Sequence, residues 1–513
     1  MNPNTPTQRG IVAAGHRETA QAALEVLAQG GNAFDATIAA MLSACVAEPV
    51  LASPGGGGFL TARPQGQSPR VYDFFAHTPG CKLAPEGQDF YPIEANFGTT
   101  RQTFHVGLGS MATPGFVRGL FAIHRDLCRL PLSELFQPAI KRAREGVIIN
   151  PFQRLISRIV EPILLATAAS RALNTTPDNP DRLLEEGACH RQPELADFFD
   201  TLQREGESFF YKGEPARDLL KDCLQGGGLL RKNDLDCYQV EIRTPLSFRY
   251  RSAELITNPL PSLGGTLIAF ALGLLSTRTN TSDTPTSETE LRHLARAMRT
   301  TQTARHDRLA QLLDPEVVTS YRRIMQQGGH STRGTTQVSI ADAHGNLSSL
   351  TLSNGEGCGY VIPHTGIMMN NMLGEEDLNP GGFFTWTENR RLLSMMAPTL
   401  VMTHDGEALV TGSGGSNRIR SAILQVIINH LDHGLPLQDA VSQARIHFED
   451  GLLSIEPGID PEVCHRLEDE FPKQQLWGQK SLFFGGAHTV LANPYGGLQG
   501  AADERRGGVC LML

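Results

Sequence analysis

The sequence lacks a long apolar segment. No apolar run approaches the roughly 20 residues that a helix needs to cross a bilayer. The segment Met1–Gly10 is polar and has no basic stretch followed by an apolar core, so it does not resemble a secretory signal peptide. We therefore expect no membrane partner and a cytoplasmic location.

An excess of positive charge is also absent. The chain has 45 Lys and Arg against 54 Asp and Glu, which gives a net charge of −9. Proteins that bind nucleic acid usually cluster Lys and Arg, so nucleic acid is disfavoured as a partner. The 40% hydrophobic and 19% charged residues are typical of a soluble globular enzyme, and 513 residues allow several domains or one large layered unit.

Cysteine and histidine show no spacing typical of a metal site. The nine cysteines are scattered, odd in number and without a Cys-x-x-Cys pair. This pattern disfavours a disulfide framework or a zinc site and favours buried thiols in a reducing compartment. We predict neither a metal nor a cofactor.

Apolar spacing predicts two helices near the N-terminus. The first has apolar residues at i, i+3, i+4 and i+7: Ala20, Ala23, Leu24 and Leu27. Gly30 and Gly31 end this helix, and residues 35–47 are apolar nearly all round, as in a buried helix. The run Gly55–Gly58 lacks the Gly-Lys-Ser/Thr ending of a phosphate loop, so we predict close backbone packing there.

The middle of the chain mixes elements. Residues 71–75 are strand-like, residues 116–144 are helical, and the Thr/Ser-rich segment 276–289 indicates a surface loop before an Arg- and Ala-rich helix. After Gly334 the apolar period becomes two on both sides of a turn at residues 343–346. The pattern predicts an antiparallel hairpin that begins at Thr335.

A second strand pair, residues 399–402 and 408–411, leads into the loop Gly412–Ser416 and then a helix. Backbone N–H groups in a glycine-rich turn at a helix N-terminus point towards a common spot and favour negative charge. Such a loop can bind phosphate or stabilise the oxyanion of an acyl-transfer reaction. A plain strand-to-helix turn remains the alternative.

The position of Thr335 permits a specific chemistry. A threonine hydroxyl is a poor nucleophile unless a base takes its proton. If the Gly334–Thr335 bond is cleaved, the α-amine of Thr335 becomes that base, with a reference pKa of about 7.7–8.0. Taken alone, Gly334-Thr335-Thr336 is more typical of an ordinary strand start with β-branched residues.

Motifs in order along the chain resemble the γ-glutamyltranspeptidase family of N-terminal-nucleophile hydrolases. They are Gly30–Ala36, Gly55–Phe59, Ala112–Gly115, Gln137–Ala139, Ala143–Gly146, Pro261–Gly265, Thr335–Asp342, Gly345–Asn346, Gly366–Asn371, Ala397–Thr399 and Thr411–Ser416. The resemblance implies an α+β fold, a four-layer αββα sandwich in which two packed antiparallel sheets are flanked by helices. It also implies one precursor that splits into residues 1–334 and 335–513, which stay together as a heterodimer in one interleaved unit.

The resemblance assigns catalytic roles to four residues. Thr335 matches the nucleophile, which first attacks the Gly334 carbonyl and later a substrate amide. Gly415 and Ser416 match the oxyanion-hole pair. Ser353 matches a second hydroxyl residue that supports the nucleophile.

The resemblance also implies substrate contacts. Asn354 matches a glutamyl-contacting position, and Ser394 matches the first of two serines that bind the substrate α-carboxylate. Glu375 is the closest match to the acid that receives the substrate α-amine, and Glu376 and Asp377 are alternatives.

Two departures from the family concern the α-carboxylate. Phe75 stands where the family has an arginine, and Met395 stands where it has the second serine. Another arginine, such as Arg101 or Arg390, could take over, or the acyl group has changed. The leading hypothesis is a γ-glutamyltransferase or glutathione hydrolase acting on a small amide such as glutathione. An acylase similar to cephalosporin acylases is the alternative, and a non-catalytic homologue is a third hypothesis that the intact Thr335 argues against.

Overall fold

Two large antiparallel sheets organise the computed structural model, which describes residues 9–96, 101–276, 284–312, 334–379 and 381–513. In chain order the strands are β1 Gly10–Ala14, β2 Gly57–Arg63, β3 Arg70–Asp73, β4 Tyr91–Asn96, β5 Arg101–Val106, β6 Val147–Ile148, β7 Thr175–Thr176, β8 Asn179–Leu183, β9 Cys189–His190, β10 Glu241–Arg243, β11 Leu246–Tyr250, β12 Ala253–Thr257, β13 Thr335–Asp342, β14 Leu347–Ser353, β15 Val361–Ile362, β16 Ile367–Met368, β17 Thr399–Thr403, β18 Ala408–Thr411, β19 Ile446–Glu449, β20 Leu452–Ile455, β21 Gln474–Leu476, β22 Thr489–Ala492, β23 Leu498–Ala501 and β24 Val509–Met512.

The α-helices of the described residues surround these sheets. They are α1 Arg17–Ala28, α2 Ala33–Ala47, α3 Phe116–Leu127, α4 Leu132–Glu145, α5 Pro151–Ile159, α6 Glu161–Leu164, α7 Ala168–Asn174, α8 Pro193–Glu205, α9 Glu207–Lys212, α10 Glu214–Gly226, α11 Lys232–Cys237, α12 Leu263–Ser276, α13 Glu288–Leu312, α14 Arg418–Leu431, α15 Leu437–Ser442 and α16 Pro461–Leu467.

The first sheet has the strand order β10-β3-β2-β14-β13-β1-β24, and the second has β11-β12-β17-β18-β22-β23. Residues 1–334 and 335–513 each contribute strands to both sheets. Strand β13 pairs with β1 from the N-terminal part, Ala14 opposite Val338, and with β14. The hairpin that begins at Thr335 therefore lies in the middle of the first sheet.

Apolar residues fill the space between the two sheets and cover their outer faces. An inner cluster joins residues of both sheets, including Ile11, Leu347 and Val410. Helices α1 and α2 pack on the first sheet, and α12, α13 and α14 share a second large core with strands of the other sheet. Burial of these apolar surfaces is the main favourable contribution to folding.

Helix α2 shows how a fully buried helix is tolerated. Asn32 caps its first turn and exchanges hydrogen bonds with Asp35 in a capping box. The second carboxylate oxygen of Asp35 accepts from the backbone N–H groups of Arg129 and Leu130, so its charge is fully hydrogen-bonded. The N–H of Ala33 donates to Asp342 at the end of β13, which fixes the hairpin on this helix.

Most of the predicted elements are confirmed. The two N-terminal helices, the helical region 116–144, the hairpin at Thr335 and the strand pair β17–β18 are all present. The predicted strand 71–75 ends earlier, at Asp73. Of the predicted loop 276–289, residues 277–283 lie outside the described residues, and Ser276 and Glu288 belong to helices.

The glycine run at residues 55–58 packs closely against other backbone, as predicted. A side chain at Gly56 would place its Cβ 2.4 Å from the carbonyl oxygen of Ser353. All nine cysteines are unpaired. Among the described residues, none of the helices is both long and apolar enough to span a membrane, and no group of three or more His, Cys, Asp or Glu is arranged to hold a metal.

Candidate active site

Thr335 lies at the first position of the central strand β13 and is almost completely buried, with 4% of its surface exposed. The sheet register places it opposite Ser353 on β14, and Ser353 in turn lies opposite Gly57 on β2. Two of the predicted catalytic residues are therefore neighbours because of sheet pairing.

The Gly334 residue is held on both sides. The hydroxyl of Ser353 donates to the Gly334 carbonyl over 2.8 Å, and the N–H of Gly355 donates to the Ser353 oxygen over 3.1 Å. The N–H of Gly334 donates to Oε1 of Glu356 over 3.1 Å. A Cβ at position 334 would come 2.2 Å from the carbonyl oxygen of Gly355, so only glycine fits. The carbonyl next to Thr335 is thereby fixed and polarised.

The loop at residues 412–417 approaches the next peptide along the strand, at the Thr335 carbonyl. A Cβ on Gly414 would lie 2.2 Å from the Thr335 carbonyl oxygen. Gly415 and Ser416 have φ angles of 120° and 53°, and helix α14 begins two residues later. A left-handed conformation at a serine is strained, as is common at functional sites. This close approach requires glycine at position 414, and the roles of Gly415 and Ser416 stay a prediction.

Arg506, a buried arginine that the sequence did not predict as a site residue, also contacts the Thr335 carbonyl. Nη1 of Arg506 donates to the Thr335 carbonyl over 3.3 Å, and Nη2 donates to the Leu482 carbonyl over 3.2 Å. The pKa of Arg506 is lowered to about 9. Burial is the largest cause, and the positive charge of the neighbouring Arg418 is the second. In the sequence nothing distinguishes Arg506 from a surface arginine.

A buried carboxyl lies behind the nucleophile strand. The hydroxyls of Thr336 and Thr19 donate to the two oxygens of Glu48, each over 2.7 Å. Burial raises the pKa of Glu48 to about 7, although both hydroxyl hydrogen bonds act in the opposite direction. Successive residues of a strand face opposite sides, so Glu48 supports the face of β13 that Thr335 does not use.

Two of the predicted substrate contacts, Asn354 and Glu375, lie beside this centre, and neither makes a hydrogen bond to Gly334 or Thr335 within the described residues. Asn354 is buried and donates to the Met368 carbonyl over 3.3 Å. Glu375 is buried beside Gly355, whose Cβ would lie 2.4 Å from its Oε1. Among the alternative acids, Asp377 accepts from the Ser416 hydroxyl over 2.5 Å, so it contacts the predicted oxyanion loop.

The serine of the carboxylate segment is bound within its own segment. The hydroxyl oxygen of Ser394 accepts from the Met396 N–H over 3.0 Å, and its carbonyl accepts from the Leu263 N–H over 2.8 Å. Met395 is buried against Gly264. These contacts join the segment to the motif Pro261–Gly265.

The position at which the family resemblance implies a carboxylate-binding arginine is occupied by Phe75 and is apolar. Phe75 is buried and its ring stacks on Phe59 at 5.5 Å between centroids. Of the arginines expected to compensate, Arg390 is exposed and the side chain of Arg101 lies outside the described residues. The buried Arg391 donates to the Phe75 carbonyl, but its guanidinium pairs with the Asp73 carboxylate over 3.2 Å.

Comparison with known proteins places this geometry in a family. The sequence profile described as Gamma-glutamyltranspeptidase matches residues 19–513. The Glutathione hydrolase proenzyme of Escherichia coli (strain K12) is 28% identical, with 97% of this chain and 90% of that protein aligned. The Acylase ACY 1 proenzyme of Pseudomonas sp. (strain V22) is 30% identical, with 98% and 94% aligned.

A solved structure shares the fold. The cephalosporin acylase from Bacillus halodurans superposes with a TM-score of 0.81 over 100% of this chain and 98% of that chain, at 22% identity. The fold is therefore the mixed α/β fold with antiparallel sheets of these N-terminal-nucleophile hydrolases, and the sequence-based prediction of an enzyme of this class is confirmed. With the profile matched along nearly its whole length and Thr335 at the head of the central strand, the chain belongs to the gamma-glutamyltranspeptidase family.

Proposed function

We propose that this protein cleaves itself between Gly334 and Thr335 and then transfers the acyl group of a γ-glutamyl amide, such as glutathione, to water or an amine through an ester on Thr335. The observation that carries the proposal is the pair of hydrogen bonds on Gly334. The Ser353 hydroxyl on its carbonyl and the Glu356 carboxylate on its N–H hold the bond to be broken next to the Thr335 side chain.

Self-cleavage begins when the Thr335 hydroxyl oxygen attacks the Gly334 carbonyl carbon. The bond between that carbon and the Thr335 nitrogen then breaks, the nitrogen takes up a proton, and an ester joins Gly334 to the Thr335 oxygen. Water hydrolyses this ester and leaves a carboxylate on Gly334 and a free hydroxyl and α-amine on Thr335. The products are fragments 1–334 and 335–513, which we propose remain together because both contribute strands to each sheet.

In turnover the α-amine of Thr335 takes the hydroxyl proton while the oxygen attacks the substrate carbonyl. The developing oxyanion is stabilised by backbone N–H groups of Gly415 and Ser416 at the N-terminus of α14. The Arg506 guanidinium on the Thr335 carbonyl disfavours a second positive charge nearby, so it favours the neutral, basic form of the α-amine. The leaving amine takes the proton, and water or another amine then releases the acyl group.

A γ-glutamyl substrate is supported by the relationship to the glutathione hydrolase of Escherichia coli and by the acids at residues 375–377. We propose that Glu375 receives the substrate α-amine, with Asn354 and Ser394 as further contacts. We also propose that the two sheets and their helices form the four-layer αββα sandwich, which the apolar cluster between the sheets supports. A cytoplasmic location is proposed on the sequence alone.

A second candidate is an acylase for an acyl group without an α-carboxylate. It is favoured by Phe75, which offers a buried ring where an arginine would bind a carboxylate, and by the pairing of Arg391 with Asp73. A relative of similar identity is named an acylase.

Two measurements test the proposal. Wild-type protein should migrate on a denaturing gel as two fragments that end and begin at residues 334 and 335, whereas Thr335→Ala should remain one chain and lack amidase activity. A wild-type chain that stays intact after prolonged incubation would overturn self-processing. Rates on γ-glutamyl, glutaryl and simple acyl anilides then separate the two candidates, since turnover of only the acyl anilides would favour the acylase.

A further inference from the structure

The face of β13 that carries Thr335 continues with two other buried polar residues. Successive residues of a strand face opposite sides, so Thr335, Gln337 and Ser339 share one face of β13. This face lies against the second sheet, since the Ser339 hydroxyl donates over 2.7 Å to the carbonyl of His488, one residue before β22. Gln337 has none of its surface exposed, and no step of the proposed mechanism uses it.

The hydrogen bonds around the Gln337 amide allow only one orientation of that group. The Ser349 hydroxyl donates over 2.7 Å to the carbonyl of Thr411, at the end of β18. The proton of Ser339 is likewise committed, to the His488 carbonyl. A hydroxyl has a single proton, so both serine oxygens can only accept a further hydrogen bond. Nε2 of Gln337 therefore donates to the Ser349 oxygen over 3.0 Å and to the Ser339 oxygen over 3.1 Å.

The oxygen of the same amide contacts β14 and the glycine loop. Oε1 of Gln337 accepts from the Thr351 hydroxyl over 2.6 Å. A Cβ at Gly412 would lie 2.2 Å from this Oε1, so the first residue of the loop packs directly on the amide. A Cβ at Gly414, two residues later, would lie 2.2 Å from the Thr335 carbonyl oxygen. The loop therefore follows β13 with two close contacts, one on Gln337 and one on the predicted nucleophile.

These contacts fix the height of the glycine loop above the nucleophile strand. The Gln337 amide fills the space under Gly412 and is itself held by hydroxyls of β13 and β14. The predicted oxyanion donors, the backbone N–H groups of Gly415 and Ser416, follow within four residues. A donor acts on an oxyanion only at hydrogen-bond distance, and a misplacement of about 1 Å can lower a rate about 100-fold. Loss of the amide should therefore weaken the predicted oxyanion hole without removing any reacting group.

Self-cleavage uses other supports under the proposed function. The carbonyl attacked in that reaction belongs to Gly334 and accepts from Ser353, and the Gly334 N–H donates to Glu356. Both partners lie at the end of β14 or shortly after it, and the loop at residues 412–417 supplies neither of them. The precursor reaction thus depends on β14, whereas turnover depends on the glycine loop.

We propose that Gln337 is a positioning residue for acyl transfer, whose amide sets the distance between Thr335 and the predicted oxyanion loop. It touches neither the substrate nor a reacting atom, and it acts through Gly412, three residues before the predicted donor Gly415. The inference rests on the proposed function and adds a residue on which turnover depends and self-cleavage does not.

Gln337→Met tests this role, because methionine is unbranched and flexible like glutamine but has no hydrogen-bond donor and only a weak acceptor. Acylation and release of the acyl group both pass through an oxyanion, so kcat should fall about 30-fold while KM stays within about threefold of wild type. The substrate is the anilide that the wild type uses best, and rates are expressed per cleaved chain from the 335–513 fragment on a denaturing gel. The half-time of self-cleavage should stay within about threefold of wild type. Merely structural damage to β13 would slow both reactions, since both use Thr335.

Ser349→Ala removes a second part of the same contact. The alanine lacks the hydroxyl that accepts from Gln337 and donates to Thr411, so kcat should fall about tenfold, again without slower self-cleavage. The two effects should combine to less than their product, since residues of one hydrogen-bond network do not act independently. Ser348→Ala is the control, because Ser348 is equally buried on the opposite face of β14, with its hydroxyl 2.6 Å from that of Thr37. Without a contact to the loop, this control should leave kcat within about threefold of wild type.

Two outcomes would overturn the positioning role. One is a kcat within about threefold of wild type in both Gln337→Met and Ser349→Ala, and the other is self-cleavage slowed as much as turnover. If Gln337→Met yields no folded protein, the same two rates in Ser349→Ala decide the question. Under these outcomes the proposed function stands as long as the wild-type chain splits at residue 334 and hydrolyses an anilide. A wild-type chain that never splits contradicts the proposed function itself.

Discussion

The two ends of the candidate active site differ in how far they keep the family pattern. At the nucleophile end, the predicted residues Thr335, Ser353, Gly415 and Ser416 keep the family motifs. Sheet pairing places Ser353 opposite Thr335 and on the Gly334 carbonyl, and the glycine loop approaches the Thr335 carbonyl. At the predicted carboxylate end, Phe75 and Met395 stand where the family resemblance implies carboxylate-binding groups, and both are buried in an apolar cluster.

This difference separates chemistry from selectivity. Bond making at Thr335 depends on a fixed nucleophile and polarised carbonyl, which tolerate little change in geometry. The acyl group is selected by contacts further away, where one side chain can change the preferred substrate without disturbing the reacting atoms. Under the proposed function, the nucleophile end therefore sets the reaction class, and the carboxylate end selects the amide.

The largest expected effect of a single hydrogen bond is at Ser353. Replacing Ser353 with Ala removes the donor on the Gly334 carbonyl and should slow self-cleavage about 100-fold, as for the loss of one oxyanion donor. The half-time of fragment appearance on a denaturing gel measures this effect. Ser353→Thr keeps the hydroxyl and should remain within tenfold of wild type. Cleavage of the alanine variant at the wild-type rate would show that the nucleophile end does not depend on this contact.

Glu48 gives the nucleophile end a pH dependence. Its pKa in the folded protein is about 7, against an ordinary value of 4.5, so its contribution to stability is fully present below pH 4.5 and is lost as the pH rises through 7. Glu48→Gln resembles the protonated acid and does not titrate. Relative to wild type, the variant should gain up to about 3 kcal/mol in unfolding free energy between pH 5 and pH 8.

Denaturant unfolding of Thr335→Ala protein, with and without Glu48→Gln, measures this difference on a single uncleaved chain. Glu145→Gln in the same background is the control, since this residue is exposed. A difference that stays constant between the two pH values would mean that Glu48 is ionised throughout this range.

The smallest expected effect tests the carboxylate end. Phe75→Arg restores a guanidinium that can pair with a substrate carboxylate, a contact worth about 1.5–3 kcal/mol. The ratio of kcat/KM for γ-glutamyl over simple acyl anilides should therefore rise about tenfold or more. Phe75→Leu keeps the site apolar and should leave the ratio within threefold. An unchanged ratio in the arginine variant would mean that Phe75 does not set substrate selectivity and serves only to pack against Phe59.

Local sequence patterns predicted much of the fold. The period-two pattern after Gly334 predicted the hairpin of β13 and β14, and the nearly uniform apolar run before Glu48 predicted the buried helix α2. The strand expected at residues 71–75 ended at Asp73, whose carboxylate pairs with the distant Arg391 and Arg243, and such long-range contacts leave no local signal in the sequence.

The candidate site was predicted only where neighbours in the sequence become neighbours in the structure, or where motifs carried the family resemblance. Thr335 and Ser353 meet because a hairpin fixes its own register. Arg506, Glu356 and Glu48 were missed, since each acquires its position from a different part of the chain. The choice among the three acids was left open by sequence, and the structure distinguishes them by placing Asp377 on Ser416 and Glu375 beside Gly355.

The sequence by itself determined the family, and it predicted the nucleophile and the loss of a carboxylate-binding arginine, because these properties belong to single residues and short motifs. Only the tertiary structure decided which groups surround the Gly334–Thr335 peptide. These groups come from segments that can lie hundreds of residues apart, such as Glu48 and Thr336. Burial in the folded chain then sets the charge and the hydrogen bonding of each group.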